Sequence, residues 1–176
     1  MSAESFDSDR CAQELLARDA EVRRQIGVRF GNSIFATNGE LDRVTLRKIV
    51  FDDETKRRDL EAILHPIIRA RWTFLAKKAV NEKDWLMVDI PLLFETKAES
   101  HFTAIAVVAC SVETQRQRLL AARRLSKEIA DKMIASQLPL PTKIERADHL
   151  IWNDGPAELL EQQAALLAAG LSKRYG

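Results

Sequence analysis

The sequence predicts an α/β protein with a parallel sheet and a helical lid, on three observations. Two short runs, Trp85-Leu86-Met87-Val88-Asp89-Ile90 and Thr103-Ala104-Ile105-Ala106-Val107-Val108-Ala109, are almost continuously apolar, as strands covered on both faces are. Segments with apolar residues at helical spacing flank them. Strands alternating with helices join as parallel neighbours through right-handed crossovers.

Asp7-Ser8-Asp9 supplies N-cap candidates for one helix whose apolar residues fall at Cys11, Leu15, Val22 and Ile26. Gly31 and Asn38-Gly39 mark a loop, and Asp42 caps a short helix carrying Val44, Leu46 and Ile49. A longer helical region sets Leu60, Ile63, Leu64, Ile67, Ala70 and Leu75 on one side. Pro66 within it lacks the N–H that would bond the Ala62 carbonyl, which predicts a kink or a fresh helix start near His65. Core strands are expected over 84–90, 103–109 and 149–152, and helices over 112–124, 126–137 and 156–173. The first two of those helices have charged faces and open the expected lid, 112–143, while the helices over 9–80 form the other side of one domain spanning 1–176.

With 46% hydrophobic and 30% charged residues, the chain has the composition of a soluble globular domain. A formal charge of +1 gives no overall attraction to nucleic acid or membrane, and neither is an expected partner. The basic clusters Arg23-Arg24, Lys56-Arg57-Arg58 and Arg123-Arg124 read as solvated helix faces. Cys11 and Cys110 are far apart and show no CxxC or Cys/His pattern, so neither a disulfide framework nor a metal site is expected. The short acidic N-terminus carries no secretory signal, and the longest apolar stretch, Ile105 to Cys110, is too short to cross a bilayer. The expected compartment is the reducing cytoplasm; the sequence sets no oligomeric state.

Several local patterns then fall in a telling order. They are Phe6-Asp7-Ser8-Asp9 entering a helix; Asn38-Gly39-Glu40-Leu41-Asp42-Arg43 with Leu46 and Val50-Phe51; and Leu60 to Arg69 with its His65-Pro66 pair. Asp89-Ile90-Pro91-Leu92-Leu93-Phe94-Glu95 follows, then Gln137-Leu138-Pro139-Leu140, Lys143, Ala147-Asp148, Ile151, Asn153 and Gly155. Together they resemble the dephospho-CoA kinase family from Phe6 to the final helix. The resemblance implies a P-loop kinase-like sheet and the last step of coenzyme A biosynthesis: with Mg²⁺, ATP would give its γ-phosphoryl to the 3′-hydroxyl of dephospho-CoA. Such transfer needs a carboxylate for the hydroxyl, cations over the phosphates and a closing lid.

On that resemblance Asp9, the second aspartate of its segment, is the catalytic base; spacing alone favours a plain helix cap. Asp7, His65, Arg69, Pro91, Leu92 and Leu93 are the implied acceptor-binding residues. His65 and Arg69 share a helix face at i and i+4, Arg69 with bidentate capacity for phosphate. In the plainer reading His65 fills the bend beside Pro66, and at least one leucine is core. Arg118, Arg123, Lys143, Asn153 and Gly155 are the implied ATP and lid residues, against a solvated helix face for at least one arginine. The sequence departs from the family at Ala122, Met133 and Trp152. An arginine is usual where Ala122 stands, so Arg123 substitutes only with a shift of one residue.

Family members open with a strand, then Gly-x-x-Gly-x-Gly-Lys-Ser/Thr, then a helix; here the match begins after these. The glycines are Gly27, Gly31, Gly39, Gly155, Gly170 and Gly176, and none precedes a lysine. The expectation is therefore an N-terminally truncated fold lacking the first, central strand and the P-loop helix. That strand belongs between the runs at 85–90 and 104–109, so the chain should be marginal in stability and inactive alone. The alternatives are a non-catalytic degenerate paralogue binding CoA-like ligands or a protein partner, and a different small nucleotide kinase.

Overall fold

The computed structural model describes residues 3–82, 85–123 and 126–175. The chain divides into two compact units, Met1–Pro91 and Leu92–Gly176.

Four aspartates decide where the helices of the first unit begin. An aspartate in extended backbone offers its carboxylate to the amides of the following turn, which have no partner inside the helix. Asp7 ends strand β1 (Ala3–Asp7), accepts the Arg10 amide at 2.8 Å and opens α1 (Ser8–Arg18). Asp19 accepts the Val22 amide at 3.0 Å, which separates α1 from α2 (Ala20–Phe30). The single helix expected through Cys11 and Ile26 is therefore two, because this side-chain bond competes with helix propagation and leaves the apolar spacing intact. Asp42 takes the Val44 and Thr45 amides before α3 (Arg43–Asp52), and Asp53 those of Thr55 and Lys56 before α4 (Glu54–Glu82). Gly31 and Gly39 turn the chain between α2 and α3 at φ of 87° and 80°, a region that side chains disfavour.

α4 runs 29 residues and includes Pro66, so no fresh helix starts near His65. Buried Leu64, Ile68 and Trp72, one turn apart on both sides of the proline, anchor the helix and offset the missing hydrogen bond. The buried line is Leu64, Ile68, Trp72 and Ala79, whereas Ala70 of the expected stripe is exposed. Leu60, Ile63, Ile67 and Leu75 of the stripe are half-buried and flank that line. Leu15, Val22, Ile26 and Ile34 have no exposed surface and form the centre of the unit. Strand β2 (Trp85–Asp89) pairs in parallel with β1 in a register that sets Asp89 opposite Asp7.

The second unit opens with a tight turn over buried Phe94 and Ala98. Strand β3 (Ala106–Ala109) pairs in parallel with β4 (His149–Trp152). β3 is shorter than the expected 103–109 because the Asp148 carboxylate takes the Ile105 amide at 2.8 Å, ending the ladder there. Helices α5 (Val112–Arg123) and α6 (Lys127–Ala135) are tied by Arg116, 2.7 Å from Asp131 and 2.8 Å from Glu113. The short α7 (Leu140–Glu145), which periodicity cannot report, starts at Pro139. Last comes α8 (Ala157–Tyr175), against β4. Its Gln163 side chain accepts the Trp152 amide and donates to the Trp152 carbonyl, each at 2.9 Å. Both sheets are parallel and two-stranded among the described residues, β1 with β2 and β3 with β4, in an α/β fold. No helix among those residues is long and apolar enough to cross a membrane.

Candidate active site

Matched residues of neighbouring parallel strands project from the same face, so the register of β1 and β2 brings Asp7 beside Asp89. Asp9 follows on the first turn of α1. The cap is Asp7, whose carboxylate takes the Arg10 amide, and Asp9 is left exposed where the helix N-terminus favours its anion. Asp89 feels both neighbours. Partial burial pushes its pKa up, and the charges of Asp7 and then Asp9 push it further. Asp89, which sequence reasoning did not single out, is the third carboxylate brought to this strand end. An apolar strand ending in aspartate is the pattern with which P-loop enzymes hold magnesium.

On α4, His65 is half-buried and Arg69 exposed, one turn apart. Burial lowers the His65 pKa; Glu61 opposes the shift and Arg69 adds to it, so the imidazole is neutral at pH 7. The pair thus offers one fixed cation and one neutral donor-acceptor. Pro91 is exposed at the end of the first unit.

In the second unit Leu92 and Leu93 are half-buried, and it is Phe94 that fills the core. The Leu92 carbonyl accepts the Thr96 hydroxyl at 2.8 Å, and the Leu93 carbonyl accepts the Ala98 amide at 3.1 Å. Two of the expected ATP-side residues meet: Arg118 Nη2 on α5 donates to the Asn153 carbonyl at 2.8 Å and to its Oδ1 at 3.3 Å. Next to them both Asp154 oxygens accept the Ser111 amide, at 3.0 and 3.1 Å. Burial pulls the Asp154 pKa up, yet hydrogen bonds from Ser111 and Thr114 hold it below the usual carboxylate range. A Cβ at Gly155 would meet the Leu159 side chain at 3.1 Å, so a small residue suits the entry to α8. Lys143 is engaged with Glu95 at 2.9 Å and Gln137 at 3.0 Å. Arg123 closes α5, and its side chain lies outside the described residues.

The dephospho-CoA kinase family profile matches residues 1–158. The chain belongs to that family. A dephospho-CoA kinase of Bacillus cereus is 37% identical over 156 residues, spanning 88% of this chain and 78% of the relative. One of Synechococcus elongatus is 40% identical over 159 residues, spanning 90% and 75%. A solved Thermus thermophilus structure matches with a TM-score of 0.75 at 30% identity, covering 99% of this chain and 86% of that one. The dephospho-CoA kinase from Campylobacter jejuni gives 0.68 at 25% identity, covering 98% and 86%. By family the chain is a phosphotransferase.

Proposed function

We propose that this chain carries acceptor and lid residues for ATP-dependent phosphorylation of the 3′-hydroxyl of dephospho-CoA, with Asp9 as base. The strand–helix junction carries the reading. Ligands of open α/β sheets lie beyond the carboxyl ends of the strands, and there Asp7 caps α1 while Asp9 stays exposed. Asp9 takes the hydroxyl proton as that oxygen bonds the γ-phosphorus and the bond to ADP breaks. Arg69 and His65 hold the anionic acceptor, with Pro91, Leu92 and Leu93 along its apolar part. Arg118, Arg123, Asn153 and Gly155 serve the ATP side.

The family implies Mg²⁺, and the carboxylates at the ends of β1 and β2 suit a hard cation. Among the described residues no group of three or more His, Cys, Asp or Glu stands ready to hold a metal. Asp89 fits the usual magnesium arrangement of one or two carboxylates completed by phosphates and water, leaving Asp9 for the proton. When bound there, the ion neutralises phosphate charge.

The 176 residues contain no Gly-x-x-Gly-x-Gly-Lys-Ser/Thr segment. Its amides, lysine and hydroxyl supply most phosphate positioning, so on this reading these 176 residues alone transfer phosphate poorly. Mass spectrometry of CoA formed from ATP, Mg²⁺ and dephospho-CoA tests the assignment. Asp9→Asn is expected to lower turnover by about 10²–10⁴-fold, with dephospho-CoA affinity unchanged. Equal turnover would remove Asp9 as base. If the chain makes no CoA, calorimetry decides the acceptor half: dephospho-CoA binding weakened by Arg69→Ala upholds it, and no binding at all ends it.

A further inference from the structure

A carboxylate and an ammonium taken largely out of water need each other and additional hydrogen bonds. Glu95 and Lys143 satisfy that need. Their side chains keep only 20% and 12% of their exposure, and Lys143 Nζ stands 2.9 Å from Glu95 Oε1. The same oxygen accepts the Leu138 amide at 2.9 Å, while Lys143 also donates to Gln137 Oε1 at 3.0 Å. One turn further on, Glu99 pairs with Arg146, whose guanidinium lies over the Phe94 ring at 4.7 Å from its centroid. Lys143 lies on α7 and Arg146 just past its end, three residues later. Two carboxylates thus grip two cations at α7, fastening this stretch to the turn that carries Leu92 and Leu93.

We propose that Glu95 is a positioning residue for phosphoryl transfer, fixing Lys143 and the Leu138 amide, and that Lys143 is the far end of this clasp and not a phosphate ligand. The effect on turnover rests on the kinase function proposed above; the clasp rests on geometry alone. A phosphate drawn to Lys143 would stand beside the Glu95 carboxylate and be repelled by it. Glu95 Oε2 is buried without a hydrogen-bond partner, so losing Lys143 would strand a carboxylate that keeps backbone amides but no counter-charge. Burial raises the Glu95 pKa, but Lys143 and the Leu138 amide more than reverse this, and the result lies below the usual carboxylate value. Beyond Lys143, Glu99 and Arg146 one turn on neutralise one another. With a depressed folded pKa, the clasp is complete above the ordinary carboxylate pKa and is lost as pH falls through the lower folded value.

Amide exchange at Leu138 reads the clasp directly. The wild-type amide is expected to be protected at neutral pH, with protection falling at acid pH. Glu95→Met should reduce neutral-pH protection by about tenfold, as loss of a hydrogen bond to a charged group implies, and abolish the pH step. Glu95→Asp should restore part of both. Equal protection in wild type and Glu95→Met overturns the clasp. In the transfer assay Glu95→Met and Lys143→Met should each lower kcat with KM for ATP unchanged, and the double variant should be no worse than the worse single one. A raised KM for ATP in Lys143→Met, adding to the Glu95 effect, would make Lys143 a phosphate ligand and overturn the proposal. If the wild type forms no CoA, the proposed activity fails separately, and exchange at Leu138 still decides the clasp.

Discussion

The two units of this chain bury different chemistry. In the first, four large apolar side chains (Leu15, Val22, Ile26 and Ile34) have no exposed surface. In the second, the fully buried side chain among the described residues is Ala130, and α8 buries none of its own. Phe94, Ala98, Ala109 and Ile151 complete a smaller core there, and polar ties supplement it: Arg116 to Asp131, Asp154 to Ser111, Glu95 to Lys143, and Gln163 to the Trp152 backbone. Apolar burial is non-directional, whereas a hydrogen bond fixes distance and angle. Stability in the first unit therefore leans more on volume, and in the second more on a few specified contacts.

The contrast breaks first at Leu15. Leu15→Ala removes a fully buried side chain and is expected to cost about 2–5 kcal/mol in denaturant unfolding. A loss below about 1 kcal/mol would mean that the helices collapse onto the cavity and that volume does not rule there. In the second unit Gln163→Leu strips the Trp152 amide and carbonyl of their partner; water replaces it in part, so about 1–2 kcal/mol is expected, with faster exchange of the Trp152 amide. No change would make that tie ornamental.

Asp89→Asn should act in the opposite sense. The folded pKa of Asp89 is raised above its unfolded value, so the native state binds the extra proton, and ionised Asp89 costs stability above the raised pKa. The asparagine variant is expected to unfold slightly later at pH 7 and to match wild type near pH 3, below the unfolded pKa of about 3.9. Destabilisation at pH 7 would show that the carboxylate supports the fold. The smallest effect is expected at Leu166, 75% exposed on α8, where alanine should stay within about 0.5 kcal/mol.

Much of this could be read in advance where the signal was local. The apolar runs at β2 and β3 announced strands, and Asp7 and Asp42 announced helix starts. What escaped depended on distant partners or on competition between local signals. β1 is five residues, Ala-Glu-Ser-Phe-Asp, with no apolar run, and becomes a strand by pairing with β2 far along the chain. Asp19 splits a helix that periodicity joins. Asp89 opens the segment that continues Ile90-Pro91-Leu92-Leu93, but only the register with β1 shows it beside Asp7. The Glu95 oxygen that holds Lys143 also takes an amide 43 residues away, which no spacing rule reaches.

The Gln163 side chain of α8 also shapes the edge of β4. The Trp152 N–H and C=O face away from β3, which bonds the alternate backbone groups at His149 and Asn153. Gln163 occupies both with a side chain that imitates a peptide group, so the outer margin of β4 is closed there to any further backbone.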